Sequence, residues 1–218
     1  MWPTSSRLLF TSSHIITLTL QKTYLNSSPR ILDTQYCNKR LLTSTPPATM
    51  PRDPTGDPKQ QSEDKFRDGM SGSCLCGSIT VHIKDSQLFS KKRGHLCHCQ
   101  NCRKVAGSYV ASNLLIEQEK VTIDDRDTTL KTYEDYETLS GNPVYRSFCG
   151  KDGNPIKSET AAYPGKVILK MGIYPRIPQP EAEGFGLHKH QWQGQHNDVD
   201  TYEIKWAGPD KKLLAKGA

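Results

Sequence analysis

Three cysteines lie within six consecutive positions of the segment HLCHCQNCRK at residues 95–104: Cys97, Cys99 and Cys102. Cys97 and Cys99 are two positions apart, so in an extended segment both side chains point to the same face. Cys102 follows after two residues, which is the C-x2-C spacing of zinc knuckles. Thiolates are soft ligands, and a cysteine-rich tetrahedral site suits zinc or an iron–sulfur cluster. The segment predicts a metal site with three cysteine ligands and a fourth position to be filled.

Three further cysteines belong to the same predicted domain: Cys74, Cys76 and Cys149. Cys74 and Cys76 again share one face of an extended segment. Disulfides are disfavoured, because the expected cytosolic or mitochondrial matrix location is reducing. A C-x-C pair also bridges poorly, since its Cα atoms lie about 6–7 Å apart, near the limit of disulfide geometry. Metal ligation is the better interpretation, and Cys37, alone near the N-terminus, is given no role.

Two alternatives remain open for the fourth position of the three-cysteine segment. If the protein supplies three ligands, zinc keeps a position for water, a substrate thiolate or a carbonyl oxygen, as in catalytic zinc sites. His95 precedes Cys97 by two residues and shares its face, so it is also able to complete a closed Cys3His site. His98 lies between two ligands and is expected to point away from them and to pack or support the ligands.

The residues around these motifs alternate as they do in half-buried strands. Ile79, Val81 and Ile83 alternate with Thr80 and His82, which is the period of a strand with one buried face. Further strand-like runs lie at 108–116, 120–123, 130–133, 144–148 and 166–171, separated by turn signals such as SGNP and DGNP. No segment sustains a long, capped helical period. The sequence predicts one all-β domain at about residues 70–205, followed by a tail at 206–218.

The N-terminal part of the chain has a different composition. Residues 1–49 are rich in serine and threonine and contain spaced basic residues and a single acidic residue, which is typical of an organellar transit peptide. The alternatives are a mitochondrial protein and a cytosolic protein that starts at Met50 or Met70. No apolar run approaches the ~20 residues of a transmembrane helix, so no membrane partner is expected. Residues 50–69 are rich in proline and charge and predict a disordered linker.

The net charge of the chain is +6, and much of it lies in the N-terminal segment. Residues 1–50 contain five basic residues and one acidic residue, which leaves the remainder at about +2. Nucleic-acid binding requires a concentrated basic face. The dense run Lys91-Lys92-Arg93 is more typical of a solvated loop. The charge distribution argues against nucleic acid as a partner.

The combined pattern resembles the glutathione-dependent formaldehyde-activating enzyme family, which also includes the centromere protein V branch. The resemblance covers about residues 70–195 and rests on four motifs: GSCLCG at 72–77, CHCQNCR at 97–103 with Gly107, RSFCG at 146–150 and GNPI at 153–156. It implies a small domain of folded, twisted antiparallel sheets held by two zinc ions, a β-tent related to zinc ribbons. It also implies a zinc-dependent carbon–sulfur lyase like S-(hydroxymethyl)glutathione synthase, which joins a thiol such as glutathione to formaldehyde or another small aldehyde.

The resemblance divides the candidate ligands between two zinc sites. The catalytic zinc is assigned to the three-cysteine segment. The structural zinc is assigned to Cys74, Cys76 and a later C-x2-C pair, but Asp152 stands where the second cysteine of that pair is expected. An aspartate can ligate zinc at about 2.0–2.2 Å. Asp152 is either a harder and weaker fourth ligand beside Cys149, or a turn residue, as Asp-Gly often is.

The two carboxylates of glutathione require nearby cations. Arg103 and Lys104 follow the last cysteine of the central segment, and Arg146 lies three residues before Cys149. These three are the candidate substrate-binding residues, although each is also a candidate surface charge. A second hypothesis, from a different class, is a non-catalytic zinc-stabilised binding module of the centromere protein V type. A closed fourth position at the central site favours the binding module, and an open one favours the enzyme.

Overall fold

A computed structural model describes residues 61–214 of the chain. The predicted transit peptide at 1–49, most of the predicted linker and the last four residues lie outside the described residues, and targeting to mitochondria stays a prediction. Within the described range the structure consists mainly of β-strands with one short α-helix, which confirms the all-β fold class. No helix in this range has the length and apolar character needed to cross a membrane.

The strands of the described range form two sheets. The smaller sheet has three strands in the order β1-β2-β5, and the larger has eight in the order β11-β10-β3-β4-β9-β8-β7-β6. The strands of the smaller sheet are β1 at Gly69–Ser73, β2 at Ile79–Lys84 and β5 at Val121–Asp125. The strands of the larger sheet are β3 at His95–Cys97, β4 at Ala111–Glu117, β6 at Leu130–Asp135, β7 at Val144–Cys149, β8 at Pro155–Thr160, β9 at Lys166–Lys170, β10 at Ala182–Gly184 and β11 at Asp200–Thr201.

One edge of the larger sheet differs from the expected antiparallel arrangement. Strand β10 pairs in parallel with β3 and with β11, while the other strand pairs of the described range are antiparallel. These three strands have only two or three residues each. Such short strands produce no recognisable apolar alternation, so the sequence pattern does not indicate them.

Alternating apolar side chains from both sheets form a shared core. Ile79, Val81 and Ile83 of β2 are buried and His82 is exposed, which confirms the alternation predicted for this strand. The larger sheet contributes the following residues to the same buried cluster: Leu114, Ile116, Ile156, Val167 and Leu169. The two sheets are packed layers of one domain.

The α-helix of the described range, α1 at Gln100–Ala106, grows directly out of the cysteine-rich segment. The Cys99 thiol caps its N-terminus by accepting a hydrogen bond from Cys102 N (3.4 Å). Gly107, with φ at 59°, ends the helix in the left-handed conformation. None of the helix residues is buried, so the helix has no apolar stripe that a periodicity argument would find. As a consequence, the strand expected at 108–116 begins later, at Ala111.

Aromatic residues near both ends of the described range pack onto the domain. Phe66, in the segment predicted as a linker, is buried and contacts Phe89 edge-on, with ring centroids 5.6 Å apart. Trp206, in the segment predicted as a tail, stacks on His95 at 4.7 Å. A single aromatic residue among charged neighbours has little weight in a sequence pattern, so neither contact is visible from the sequence.

We expect Asp85→Asn to lower the free energy of unfolding by about 2 kcal/mol at neutral pH. The Asp85 carboxylate is buried and forms ion pairs with Arg93 and Lys120. Burial opposes its ionisation, but Arg93, the Gln87 amide and Lys120 outweigh this effect and hold the pKa of Asp85 at about 2. The stabilisation is complete above the unfolded-state pKa of 3.8 and is lost as the pH falls towards 2. Urea unfolding should show a smaller difference near pH 3 than at neutral pH.

Asp64→Asn is the matched control, because the ion pair between Asp64 and Arg67 is exposed. Exposed pairs contribute only about 0–1 kcal/mol, so this variant should unfold almost like the wild type at both pH values. Equal losses in the two variants would contradict the role given to Asp85.

Candidate metal centres

The first cysteine group is built from two turns that belong to different sheets. Cys74 and Cys76 lie in the turn between β1 and β2, where Gly77, with φ at 71°, donates its N–H to Cys74 O (3.0 Å). Cys149 ends β7, and Asp152 lies in the turn that leads to β8. Each of the four candidate ligands places one ligand atom within 4.8 Å of the others. The structure thus brings together Cys74, Cys76, Cys149 and Asp152, the four candidate ligands of the predicted structural zinc.

Hydrogen bonds hold these two turns against each other. Cys76 N donates to Asp152 Oδ2 (2.7 Å), and Leu75 N donates to Asn154 Oδ1 (2.8 Å). Both bonds connect a backbone amide of one turn with a short side chain of the other. Short side chains have few rotamers to fix, so the relative position of the turns is well determined.

The distances between sulfur atoms in the first group suit a tetrahedral metal ion. Cys74 Sγ lies 3.5 Å from Cys76 Sγ, which lies 3.7 Å from Cys149 Sγ. Zinc–sulfur bonds of about 2.3 Å in a tetrahedron place sulfur atoms about 3.8 Å apart. Ile79 N also donates to Cys74 Sγ (3.3 Å), as amides do around ligating sulfur atoms. The residues present fit a metal ion held by three thiolates and one carboxylate.

Asp152 acts as a turn residue and also faces the cysteines. Its Oδ1 accepts a hydrogen bond from the Asn154 amide (2.9 Å), while Oδ2 accepts the bond from Cys76. Burial opposes ionisation of this carboxyl group, but the amides of Asn154 and Cys76 outweigh that effect and hold the pKa of Asp152 well below its usual range. The carboxylate is charged at neutral pH and available to a cation. The two interpretations of Asp152 do not exclude each other.

The second cysteine group lies at the junction of β3 and α1. Cys97 ends β3, Cys99 caps the helix and Cys102 lies in its first turn. Their sulfur atoms lie within 4.8 Å of one another, and Cys97 Sγ is 3.5 Å from Cys99 Sγ. No other His, Cys, Asp or Glu among residues 61–214 joins this group. The described chain offers three donors here, again at distances that suit a metal ion.

Two buried cations lie close to the second group. Lys170, at the end of β9, donates to Asn113 Oδ1 (2.9 Å). Arg146, in β7, is paired with Asp135, with 2.8 Å from Nε to Oδ2. The pKa of Cys102 is lowered, first by hydrogen bonds from the other two cysteines and, against the effect of burial, by the charges of Lys170 and Arg146. These two cations favour negative charge on the Cys102 sulfur, whereas hydrogen bonds with Cys102 raise the pKa values of Cys97 and Cys99.

The two histidines of the cysteine-rich segment do not belong to this group. His95 stacks on Trp206, with an angle of 22° between the rings. His98 is fully buried and faces Glu183, with 3.6 Å between Nε2 and Oε2. His98 packs away from the cysteines, as the spacing predicts. His95 has its own packing partner, so the alternative of a closed Cys3His site finds no support in this geometry.

Glu183 holds the C-terminal segment against the strand that carries Cys97. It lies on β10, which pairs with β3, and its carboxylate is fully buried. It accepts hydrogen bonds from Lys189 Nζ and Thr201 Oγ1, each 3.0 Å long, and also pairs with His196. A buried charge is retained only when it is well paired. This one fixes residues 189–201 relative to β3.

The three predicted substrate-binding cations lie in different surroundings. Arg103 contacts His190, with 2.6 Å from its guanidinium to Nε2. Lys104 is exposed. Arg146 is buried in its ion pair with Asp135, and its charge acts on Cys102. The roles of all three in binding a substrate stay predictions.

A cavity of about 280 Å³ lies beside the second cysteine group. Cys102 and Lys170 form part of its lining. Much of the remaining wall is apolar: Val105, Ala106, Val110, Ala111, Ile173 and Ile177. Ser108, Ser112 and Asn154 add polar groups to it. Cys102 thus lines a cavity with the volume of a small organic molecule.

Comparison with known proteins relates this pair of centres to a family. The family model described as glutathione-dependent formaldehyde-activating enzyme matches residues 69–191, which is more than half of the chain. The chain belongs to this family. No curated protein matches the sequence. Among solved structures, the chain is similar to a Rhodobacter sphaeroides protein at 17% identity, over 48% of this chain and 86% of that one, with a TM-score of 0.37, a likeness too weak to bear on function.

Both cysteine groups lie inside the residues matched to the formaldehyde-activating enzyme family, but two neighbouring residues are not evident from the sequence. Lys170 ends β9, in the run predicted as a strand at 166–171, and a lysine near the end of an apolar run is only a weak signal. Glu183 lies in a short segment with several glycines and no strand pattern, and nothing there indicates burial. Trp206 lies beyond the matched residues, so the family motif does not indicate its contact with His95.

We expect Asp152→Cys to bind zinc more tightly at the first group than the wild type does, and Asp152→Ala to bind it more weakly. The cysteine variant has four thiolates, and the alanine variant leaves three donors. In competition with a chelator, the dissociation constant for zinc of each variant should differ from that of the wild type by about tenfold or more. Cobalt substitution checks the ligand count, since the intensity of sulfur-to-cobalt charge transfer rises with the number of thiolates.

Two controls separate a ligand from a turn residue. Asp152→Asn can keep the hydrogen bond to the Asn154 amide while removing the charge, and we expect it to lose zinc like the alanine variant. Asp124→Ala changes an exposed aspartate of β5 and should retain zinc like the wild type. If Asp152→Ala and the wild type bound zinc equally well, Asp152 would serve the turn alone.

Proposed function

We propose that this protein is a zinc-dependent carbon–sulfur lyase that reversibly joins a thiol such as glutathione to formaldehyde or another small aldehyde. The observation that carries the proposal is the second cysteine group, which combines three donors with a cavity in contact with Cys102. Catalytic zinc sites have three protein ligands, whereas structural sites have four. Family membership supports the class of reaction, although it does not by itself fix the substrate.

The chain's own residues prepare this site for a reaction that develops negative charge. Zinc held by Cys97, Cys99 and Cys102 would supply a Lewis acid that polarises an oxygen or stabilises a thiolate. Lys170 lines the cavity, and its hydrogen bond to Asn113 holds the amino group in place. Burial lowers the pKa of Lys170, while negative charge on Cys102 opposes that effect. When a thiol adds to a carbonyl group, charge develops on the oxygen, and a preorganised donor near that oxygen lowers the barrier.

The four-donor group is better suited to a structural role. It joins a turn of the smaller sheet to a turn of the larger sheet, and its four ligands would complete a tetrahedral zinc site. The binding-module alternative requires a closed site at the second group as well. His95 is the candidate for that ligand, and its stacking on Trp206 favours the enzyme over the binding module.

We expect the wild-type protein to accelerate exchange between free glutathione and its formaldehyde adduct, and Cys99→Ser to remove the acceleration. Because the two reagents also combine spontaneously, the rate is best measured at equilibrium by NMR exchange spectroscopy, with and without protein. Serine is a good N-cap residue, so Cys99→Ser should keep α1 while removing a sulfur donor. Its loss of activity would then be caused by the missing metal ligand rather than by unfolding of the helix.

Cys74→Ser is the matched control, because it makes the same exchange at the first group. We expect it to lower thermal stability and to retain most of the acceleration while the protein is folded. Metal analysis should find two zinc ions in the wild type and one in each variant. Equal exchange rates with protein and with buffer alone would reject this reaction.

A further inference from the structure

We infer that the cavity beside Cys102 takes the apolar substituent of an aldehyde larger than formaldehyde, with the carbonyl oxygen next to Lys170. This inference rests on the proposed function and names the class of its aldehyde substrate. Three properties of the cavity carry it: its volume, the chemistry of its wall and the position of its one charged side chain.

The cavity is much larger than formaldehyde. Its volume is about 280 Å³, whereas a molecule of liquid water occupies about 30 Å³ and formaldehyde has only two heavy atoms. A one-carbon aldehyde would leave most of this volume to water. Part of that water would lie against apolar side chains such as Val105, Val110 and Ile173, which offer it no hydrogen bonds. An alkyl substituent would replace it favourably, because burying each methylene group contributes to binding.

The lining suits an aldehyde better than the thiol tripeptide. Among the lining residues, all of which lie in the described part of the chain, Lys170 is the one charged side chain. Glutathione carries two carboxylates and one ammonium group, and burying these is unfavourable in a cavity with a single charged side chain. Its charged ends belong outside the cavity, where exposed cations such as Lys104 are available. The cavity is then available to the aldehyde.

Lys170 lies where the carbonyl oxygen of such a substrate would need a donor. It is buried, it lines the cavity together with Cys102, and Asn113 Oδ1 takes one of its hydrogen bonds at 2.9 Å. An ammonium group has three donors, so others can point to the substrate. In the reaction the sulfur–carbon bond forms, the π pair of the C=O bond moves onto oxygen, and the thiol proton ends on that oxygen. The product is a hemithioacetal whose new hydroxyl group is uncharged, and neither an oxidant nor a further reactant is needed.

The test compares two aldehydes with the zinc-loaded full-length protein and glutathione. NMR exchange spectroscopy gives the acceleration over the uncatalysed rate for formaldehyde and for butanal. We expect the acceleration to be at least about tenfold greater for butanal, since the fit of a methylene group in an apolar pocket can change rates by about 10–200-fold. An acceleration for formaldehyde that butanal does not exceed would overturn the inference and leave the proposed function standing. No acceleration with either aldehyde would reject both.

A cavity-filling variant locates the effect. Val110→Phe should reduce the preference for butanal by about tenfold, because the ring occupies space that the alkyl chain needs. Val144→Phe makes the same change at a half-buried position of β7 outside the lining and should keep the wild-type preference. If Val110→Phe kept that preference too, the cavity would not be the aldehyde subsite.

The position of the oxygen is tested at Lys170. Lys170→Met has a side chain of similar length without the charge. We expect the protein-catalysed rate to fall about a hundredfold with both aldehydes, as it does when one donor to a developing oxyanion is removed. Zinc content measured on the same sample shows whether the cysteine group is intact. Unchanged catalysed rates in a variant that retains both zinc ions would show that Lys170 has no role in the reaction.

Discussion

The turn that contains Cys74 and Cys76 is hydrogen-bonded to the turn that contains Asp152 and Asn154, and this contact adds a polar connection between two sheets that also share an apolar core. One turn belongs to the smaller sheet and the other to the larger sheet. The contact also gathers three thiols and a carboxylate in a small volume, where burial raises the pKa of Cys74 to about 11. A metal ion bound here would favour the thiolate instead and would contribute its binding energy to folding. Metal binding at this group would therefore be linked to sheet packing.

The second cysteine group has similar ligands but different neighbours. The first group is surrounded by backbone amides and contains its own carboxylate, so it can neutralise and enclose an ion. The second lies at the junction of β3 and α1, with the buried cations Lys170 and Arg146 beside it. Arg146 is paired with Asp135, whereas Lys170 is hydrogen-bonded to the uncharged Asn113 side chain. A buried cation without a matching anion is unfavourable in a purely structural site. It becomes useful where an anionic substrate atom arrives, which is the requirement of the proposed reaction.

The sequence predicts some parts of this structure better than others, for physical reasons. The i, i+2 spacing places Cys97 and Cys99 on one side because it depends on local backbone geometry alone. The approach of Cys149 to Cys76 crosses 73 positions of the chain, and only the family pattern indicates it. Helix α1 is determined by the Cys99 cap and by Gly107 rather than by an apolar period. The burial of Lys170 depends on tertiary packing, so the composition of its strand does not reveal it.

The number of donors at the second group is controlled by residues that lie far from it in sequence. Imidazole is a good zinc ligand, and burial lowers the pKa of His95 to about 4, so this histidine is neutral and chemically able to bind an ion. In the structure its ring stacks on Trp206, its strand β3 pairs with β10, and it does not join the three sulfur atoms. Trp206 lies beyond the residues matched to the family. In the proposed mechanism, this C-terminal segment helps to reserve the fourth position for a substrate, so it belongs to the site even though it supplies no ligand.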